Sequence, residues 1–218
     1  DVGVERLKLK TSFQDAARII RYQFFEETLQ LVGGNRIALG HTGDDQGETI
    51  LINILRGTGL KGLAGIPQVR DCIIRPFLEF YRNDLEIYLK ENDISFREDS
   101  SNLDKKYLRN RIRHELIPHL ETYNPGIKKC LQEMSGIARE DDSFLSQMTR
   151  DIFKQKIDKD NKKNIVWDIE DFQSYPIALR QRLAREIFCH ITGDMQEITA
   201  YHVQQIINVF NYPKAGKV

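Results

Sequence analysis

The feature of this sequence that most constrains its fold is a short apolar run, Arg36–Gly40, which a polar turn and an amphipathic helix follow at once. A helix is predicted before the run, from Ser12 to Leu31, and another after it, from about Asp44 to Arg56. A brief apolar segment between two helices is typical of a buried strand in a parallel sheet. Because open α/β sheets bind ligands beyond the carboxyl ends of their strands, residues 40–48 are where a ligand site is expected.

The alternation of strand and helix continues downstream. A second strand is predicted at Cys72–Ile74 and a helix at about 83–90, which indicates an α/β fold with a parallel sheet. The pattern changes near residue 99, and from there the predicted elements are helices, at about 103–123, 126–157, 176–191 and 199–210. We therefore predict two domains, an α/β domain over residues 1–123 and a mostly helical domain over residues 124–218.

Composition narrows the class of protein. The 218 residues carry 32 basic and 32 acidic side chains, which argues against non-specific coating of nucleic acid but allows a local basic patch. Cys72, Cys130 and Cys189 form no CxxC pair, which favours a reducing cytoplasm over a disulfide or zinc site. No apolar run approaches the length of a membrane helix. The chain begins with Asp1 and has no secretory signal, from which we expect an N-terminal segment to be missing.

Acidic residues mark the start of the helix that follows the strand. Asp45 and Glu48 are three positions apart, and Asp44 and Glu48 are four apart, so each pair shares a helix face. Acidic residues at a helix N-terminus also complement the helix dipole, which is a purely structural role. A functional carboxylate pair could hold Mg²⁺ beside a nucleotide, bind an ammonium group or act as a general base, and the spacing does not choose among these.

A glycine-rich loop follows the same helix. Its glycines are Gly57, Gly59, Gly62 and Gly65, directly after Arg56. Backbone amides in such a loop can approach phosphate groups closely, because no side chain stands in the way. The loop and the acidic helix start together favour a nucleotide site over a simple helix cap.

Several motifs follow one another in a fixed order. The two longest are GHTGDDQGET at residues 40–49 and RGTGLKGLAG at residues 56–65. Shorter ones are AARIIRY at 16–22, IRPFL at 74–78, EDSSN at 98–102 and YLRNRIR at 107–113. In this order the motifs resemble the tRNA(Ile)-lysidine synthetase family of the PP-loop ATP pyrophosphatase superfamily. The resemblance is strong over about residues 12–126 and weak over the helical remainder.

The resemblance implies a PP-loop fold (adenine-nucleotide α-hydrolase-like), with residues 1–123 forming the rear part of the catalytic domain. Residues 124–218 would form a helical domain that binds tRNA and substrate. The implied activity is ATP-dependent ligation of lysine to C2 of the wobble cytidine of tRNA(Ile), through an adenylated intermediate. The implied enzyme is cytoplasmic, uses ATP and Mg²⁺, and allows a homodimer.

One part of the family pattern does not occur in this sequence. The family's N-terminal SGGxDS loop, which binds the ATP phosphates, is absent, and the family usually continues into a further C-terminal domain. We therefore expect a fragment that is inactive by itself.

The resemblance also implies roles for individual residues. The expected catalytic residues are Asp45, Glu48 and Arg21, with Asp45 as the candidate Mg²⁺ ligand. The expected nucleotide-binding residues are His41, Arg56, Gly57 and Gly59. A structural role for His41 at the strand end is an open alternative, and Arg18 is expected to be a salt-bridge or surface residue.

A basic stretch near residue 109 is the candidate tRNA-binding surface. Lys106, Arg109, Arg111 and Arg113 have no acid between them, and three of them, Lys106, Arg109 and Arg113, share a helical face. A solvated basic face would give the same pattern. With the family resemblance, we predict contact with the anticodon arm of tRNA(Ile), beside a site for free L-lysine.

Two other functions stay open at this point. A PP-loop thiolase that installs sulfur in tRNA usually carries paired cysteines, which this sequence lacks. A non-catalytic tRNA-binding module would need no phosphate loop. An in-frame SGGxDS motif upstream would favour the enzyme over the module.

Overall fold

The computed structural model describes residues 13–96, 107–157, 164–193 and 198–211, except for the side chains of residues 13–15. The chain divides into two compact units, Asp1–Ala138 and Arg139–Val218. This division falls within one long helix, whereas the domain boundary predicted from the sequence lies after residue 123. The functional domain boundary stays a prediction.

The first unit contains most of the elements, in the order α1 (Phe13–Leu31), β1 (Ile37–Ala38), α2 (Gly43–Arg56), α3 (Leu60–Leu63), β2 (Val69–Arg70), β3 (Ile73–Ile74), α4 (Arg82–Glu91), α5 (Leu108–Arg111), a π-helical segment (Ile112–Leu116), α6 (Ile117–Tyr123) and the start of α7 (Ile127–Lys154). The second unit contains the rest of α7, then α8 (Ile169–Ser174), α9 (Ile177–Thr192) and α10 (Ala200–Asn211). The helices predicted from periodicity are present, with ends displaced by a few residues at most where the structure describes them.

The sheet of the first unit is mixed, which corrects the prediction of a parallel sheet. Strand β1 pairs in parallel with β3, placing Ile37 beside Ile73, and β2 pairs with β3 in the antiparallel sense. The strand order is β1-β3-β2. The antiparallel strand was missed because Val69–Arg70 is two residues long, too short for an alternation of apolar and polar side chains to be recognised.

The prediction that the run after Arg36 is a buried strand is also wrong. Only Ile37–Ala38 is strand, and Ala38 is exposed. Within the described residues β1 lies at the edge of the sheet and pairs with β3 alone, so its other side is uncovered. The parallel pairing places the carboxyl end of β1 beside Arg75, which directly follows β3.

Each unit has its own apolar core. In the first unit, α2, the π-helical segment, α6 and α7 contribute Ile50, Leu51, Ile112, Ile117 and Leu131. In the second unit, α7, α8 and α9 contribute Phe153, Phe172, Leu183 and Ile187, and a smaller cluster joins α9 to α10. The first core packs the inner face of α2 and thereby fixes where its N-terminus lies.

None of the helices in the described parts of the chain combines the length and the apolar composition that crossing a lipid bilayer requires.

Candidate functional site

The turn between β1 and α2 carries the predicted site. Thr42 is the N-cap of α2 and has an extended backbone. Oδ2 of Asp45 accepts hydrogen bonds from the backbone N–H of Thr42 at 2.9 Å and from its hydroxyl at 3.3 Å. The other carboxylate oxygen, Oδ1, lies 3.7 Å from Nη2 of Arg113. Asp45 therefore caps the N-terminus of α2 with one carboxylate oxygen, and its other oxygen faces the guanidinium of Arg113.

Glu48 is fully buried and held by two arginines. Arg113 donates from Nε to Oε1 at 2.5 Å and from Nη2 to Oε2 at 3.2 Å, a bidentate pair. Nε of Arg109 lies 3.2 Å from Oε2, an ion pair without hydrogen-bond geometry, and Nη2 of Arg109 donates to the hydroxyl of Thr49 at 2.8 Å. Burying a carboxylate costs free energy unless its charge is compensated, and here two guanidinium groups compensate it.

The π-helical segment positions these arginines. The backbone N–H of Ile117 donates to the carbonyl of Ile112, five residues earlier, in place of the usual four. The next residue, Pro118, has no N–H to donate, so the regular ladder cannot continue there. Such wide turns are frequent at functional sites. Arg113 lies within this wide turn and Arg109 one turn earlier, in α5, and both reach the same carboxylate.

Asp44 is tied to two other elements of the first unit. Its Oδ2 accepts a hydrogen bond from the backbone N–H of Arg82, at the start of α4, at 2.8 Å. Its Oδ1 lies 3.1 Å from Nζ of Lys128, at the start of α7, and Lys128 also lies 3.4 Å from a carboxylate oxygen of Glu121. The N-terminus of α2 is thus the point at which α4, the π-helical segment and α7 converge.

These side chains surround a cleft of about 460 Å³. Its lining consists of Gly40, Thr42, Asp44, Asp45, Glu48, Arg82, Arg113, Ile117 and Lys128. Three carboxylates thus face three cationic side chains. A cleft lined with both signs of charge suits a ligand that itself carries both an ammonium and a carboxylate group.

Burial and charge shift the titration of these groups. Burial raises the pKa of Glu48, and the hydrogen bond and charge of Arg113 oppose that rise without cancelling it. Burial lowers the pKa of His41 and outweighs the opposing charge of Asp45. His41 is therefore neutral near pH 7, and its Nδ1 is buried without a hydrogen-bond partner.

Gln46 ties the glycine-rich loop to α2. Its side chain is 1% exposed. The side-chain amide donates to the carbonyl of Ala64 at 3.2 Å and to Ser135 Oγ at 3.0 Å, and its oxygen accepts from the backbone N–H of Ile66 at 2.6 Å. Gly65 packs directly against this side chain. The motif glutamine thus has a structural explanation.

The predicted nucleotide-binding residues do not all lie together. His41 is at the cleft end of α2, whereas Arg56 is its last residue and Gly57 and Gly59 follow it, about 20 Å away along the helix axis. Arg56 is exposed, and the space around Gly57 and Gly59 is open. Arg21, on α1, is exposed and near enough to His41 to lower its pKa. The nucleotide roles of these residues stay predictions.

The predicted tRNA-binding residues also separate. Lys106 lies outside the described residues. Arg111 is exposed and forms an ion pair with Glu115 at 3.7 Å. Arg109 and Arg113 instead turn their guanidinium groups towards Glu48, so they are charge-compensated within the fold. The basic face expected from helical spacing is not a free face in this structure, and a role in tRNA binding stays a prediction.

Sequence reasoning missed two cationic elements of the cleft, Arg82 and Lys128. Arg82 meets Asp44 across 38 positions (82 − 44) through its backbone N–H, while its guanidinium pairs with Glu86 at 2.8 Å. Lys128 pairs with Asp44 across 84 positions (128 − 44). No local pattern marks such contacts, because they depend on how α4 and α7 pack against α2. The parts of the cleft that the sequence indicated are residues 40–48 and Arg113.

The described residues do not fit a Mg²⁺ ion held by protein side chains alone. Among them, no three His, Cys, Asp or Glu side chains cluster as metal ligands would. Asp45 is already engaged by Thr42 and faces Arg113, and Asp44 faces Lys128. At this end of α2, Nδ1 of His41 is buried without a hydrogen-bond partner among the described residues, whereas the backbone N–H of Gly57, at the other end of the helix, donates to the carbonyl of Ile54.

Comparison with known proteins finds relatives that all carry the same name. The chain is 37% identical over 212 residues to the tRNA(Ile)-lysidine synthase of Caldanaerobacter subterraneus subsp. tengcongensis, covering 97% of this chain and 45% of the relative. It is 33% identical over 209 residues to that of Clostridioides difficile, covering 95% and 45%. It is 34% identical over 219 residues to that of Bacillus subtilis, covering 94% and 46%. The chain thus spans somewhat under half the length of these curated relatives.

Residues 1–120 match the model of the PP-loop domain. The match includes β1, α2, Arg109 in α5 and Arg113 in the π-helical segment, and therefore Glu48 and both of its arginine partners. It covers more than half of the 218 residues. This protein belongs to the PP-loop domain family.

Proposed function

We propose that this chain is part of an enzyme that uses ATP to join lysine to C2 of the wobble cytidine of a tRNA(Ile), forming lysidine. The names of the relatives and the ATP-utilising PP-loop family support this reaction. The C2 oxygen of the base takes the adenylyl group of ATP as pyrophosphate leaves. The ε-amine of lysine then forms the new C–N bond at C2 as AMP leaves.

The cleft at the start of α2 carries the proposal, because its charges match those of free lysine. Asp44 and Asp45 are partly exposed there and can accept hydrogen bonds from an ammonium group. Arg82 and Lys128 can meet a carboxylate. An amino acid would therefore replace existing ion pairs in the cleft by equivalent pairs with its own groups.

Asp45 and Glu48 have different roles in this proposal. Asp45 has accessible surface in the cleft, so it can contact the substrate amine and take its proton. Glu48 has no exposed surface and acts by holding Arg109 and Arg113 in place. Arg113 then stands between the two carboxylates, at the mouth of the cleft.

Nucleotide binding is assigned by the same proposal to His41, Arg21, Arg56, Gly57 and Gly59. Neutral His41 offers one ring nitrogen as a donor and one as an acceptor, as contact with an adenine nucleotide requires. Mg²⁺ would supply charge neutralisation on the phosphates and would be held mainly by them, with Asp45 as the candidate protein ligand. The proposal also includes a homodimer and a cytoplasmic location. It includes contact with the anticodon arm by Lys106, Arg109, Arg111 and Arg113.

The reaction can be tested by a graft. The segment of the Caldanaerobacter relative that aligns with this chain is replaced by the chain, and transfer of radiolabelled lysine to a tRNA(Ile) transcript is measured with and without ATP. We expect ATP-dependent transfer by the graft and none by the 218-residue chain alone. A graft that folds and binds tRNA but transfers no lysine would favour the non-catalytic binding module.

The role of Asp45 is tested in the graft by Asp45→Asn, with Asp84→Asn as the matched control. Asp84 accepts a hydrogen bond from the backbone N–H of Tyr81 at 3.2 Å, the same capping arrangement at the start of α4. Loss of a substrate-binding base should reduce lysine transfer by roughly 100-fold or more, whereas loss of a cap alone should leave the rate near that of the parent. Equal and small effects of the two substitutions on lysine transfer would show that Asp45 has a purely structural role.

A further inference from the structure

A second group of arginines, away from the cleft, surrounds Tyr22. Arg18, one turn earlier on α1, has its guanidinium carbon 5.5 Å from the centre of the Tyr22 ring, and Arg70, on β2, has its own at 5.4 Å. Arg75, which follows β3, is near enough to Tyr22 to lower the pKa of its hydroxyl. We call these four residues the Tyr22 patch. It joins α1 to the sheet at the carboxyl end of β3.

The arginines of the Tyr22 patch differ from those of the cleft in their charge balance. No carboxylate of the described residues lies within ion-pair distance of Arg18, Arg70 or Arg75, whereas Arg109 and Arg113 are both paired with Glu48. Arg75 is 2% exposed; its Nη1 donates to the carbonyl of Pro67 at 2.6 Å, and its Nε is buried with no partner. A buried guanidinium without a counter-charge is costly, and an anion arriving from outside would remove that cost.

The titration of Tyr22 reflects the same excess of positive charge. Burial raises the pKa of its hydroxyl, but the neighbouring guanidinium groups of Arg75, Arg18 and Arg70 together outweigh burial and lower it. The patch thus stabilises negative charge placed at its centre.

Aromatic rings extend the patch along α1. Phe25 lies three positions after Tyr22, on the same face, with its ring centre 6.1 Å away. Phe24 packs against Phe25 at 6.4 Å and is 61% exposed. Tyr22 and Phe25 are partly exposed, and the described residues place no carboxylate on the arginines beside them. Accessible rings beside such arginines are a combination by which proteins bind unpaired RNA, with phosphates on the cations and bases stacked on the rings.

We propose that the Tyr22 patch binds an unpaired stretch of the substrate tRNA, with backbone phosphates on Arg18 and Arg70 and a base against the ring of Tyr22. This inference rests on the proposed function for the identity of the partner. It adds an RNA contact at arginines that have no carboxylate partner among the described residues, whereas Glu48 already compensates the charges of Arg109 and Arg113. Both Arg18 and Arg70 are exposed, as a contact with a large polyanion requires.

The test measures binding of a fluorescein-labelled anticodon stem–loop of tRNA(Ile) to the 218-residue chain by anisotropy, over a series of salt concentrations. The double substitution Arg18→Gln and Arg70→Gln should weaken binding about tenfold or more. It should also flatten the dependence of log K on log salt by about 0.7 for each phosphate that the protein no longer neutralises. Arg36→Gln, which removes an exposed arginine of the same unit with no ring beneath it, is the control and should leave both quantities unchanged.

The ring is tested separately, by comparing Tyr22→Phe with Tyr22→Leu. Stacking needs the ring and not the hydroxyl, so Tyr22→Phe should bind within about twofold of the parent and Tyr22→Leu about tenfold more weakly. Unchanged RNA affinity in the double arginine variant would overturn the inference. A double arginine variant that loses affinity for ATP but not for the RNA would also overturn the inference, because the arginines would then bind the phosphates of the nucleotide. Absence of lysine transfer by a graft whose RNA binding still depends on the patch would refute the proposed function instead.

Discussion

Two opposing effects act on the ionisation of Glu48. Its burial disfavours the charged form, while Arg113 and Arg109 favour it. Removing one partner of such a buried pair leaves the other charge stranded, at a cost of about 3–5 kcal/mol. A carboxylate in this position therefore fixes the local structure strongly, even where it has no surface with which to touch a substrate.

The pH dependence of stability tests this balance. The pKa of Glu48 in the folded protein is raised above its ordinary value of 4.5, so between these two values the folded state holds more protons than the unfolded state. The contribution of Glu48 to the free energy of unfolding is then greatest below pH 4.5, falls as pH rises through the folded pKa, and is constant above it. The difference in unfolding free energy between the parent and Glu48→Gln should fall over that window, as measured by urea denaturation at a series of pH values.

The control for this measurement is Glu115→Gln. Glu115 is an exposed carboxylate paired with one arginine at 3.7 Å, so its replacement should change the unfolding free energy by under about 1 kcal/mol. A difference for Glu48→Gln that rises with pH would contradict the expectation, because it would mean that the two arginines outweigh burial.

At the scale of elements, the glycine-rich loop after α2 has a structural requirement for glycine at Gly65. Gly65 has φ +65°, and a Cβ there would lie 2.6–2.8 Å from the side-chain amide of Gln46. That amide is buried and makes three hydrogen bonds, two of them to the loop. The conformation and the close approach both require glycine at this position.

Gly65→Ala should therefore destabilise the protein by about 2 kcal/mol or more, because it adds backbone strain and displaces the Gln46 amide from its partners. Gly59→Ala is the matched control in the same loop. Gly59 has φ −95°, and nothing lies within 4 Å of a Cβ placed there, so its substitution should cost only a few tenths of a kcal/mol. Thermal or urea unfolding measures both, and equal costs would show that the Gln46 contact contributes nothing.

The π-helical segment is the element that the sequence indicated least. Periodicity predicted one regular helix up to residue 123, and the helix is there, but its widened turn at Ile112–Leu116 has no residue preference that a sequence pattern could reveal. Pro118 was the available signal, since a proline inside a helix interrupts the backbone ladder. Arg113, the bidentate partner of Glu48, lies within this turn.

For the molecule as a whole, local patterns predicted the helices and the parallel pairing of the two main strands. They could not predict β2, which is too short to show alternation, or the edge position of β1. The acidic start of α2 was identifiable from the motif around Asp45, and helical spacing correctly placed Arg109 and Arg113 on one face. Their partner, Glu48, lies 65 positions before Arg113 and could not be inferred, because ion pairs between distant elements depend on packing.

The two compact units also differ in what stabilises them. The first has Ile50 at the centre of its core, whereas the second is centred on Phe172, which is fully buried and stacks on Phe210 with ring centres 3.8 Å apart. Aromatic packing of this kind concentrates much of the stability of a small unit in a few side chains. We therefore expect the units to lose structure separately when one of these residues is truncated.

The substitutions that test this are Phe172→Ala and Ile50→Ala. Each should cost about 2–5 kcal/mol, the usual cost of emptying a filled core position. Hydrogen exchange read by mass spectrometry should show faster exchange in α8–α10 for Phe172→Ala, with α2 unchanged, and the reverse for Ile50→Ala. Peptides from within α7 would show how far each effect extends along the helix that passes through both units. Equal loss of protection in both units from either substitution would mean that the chain unfolds as one cooperative body, and the division at Ala138 would then have no energetic meaning.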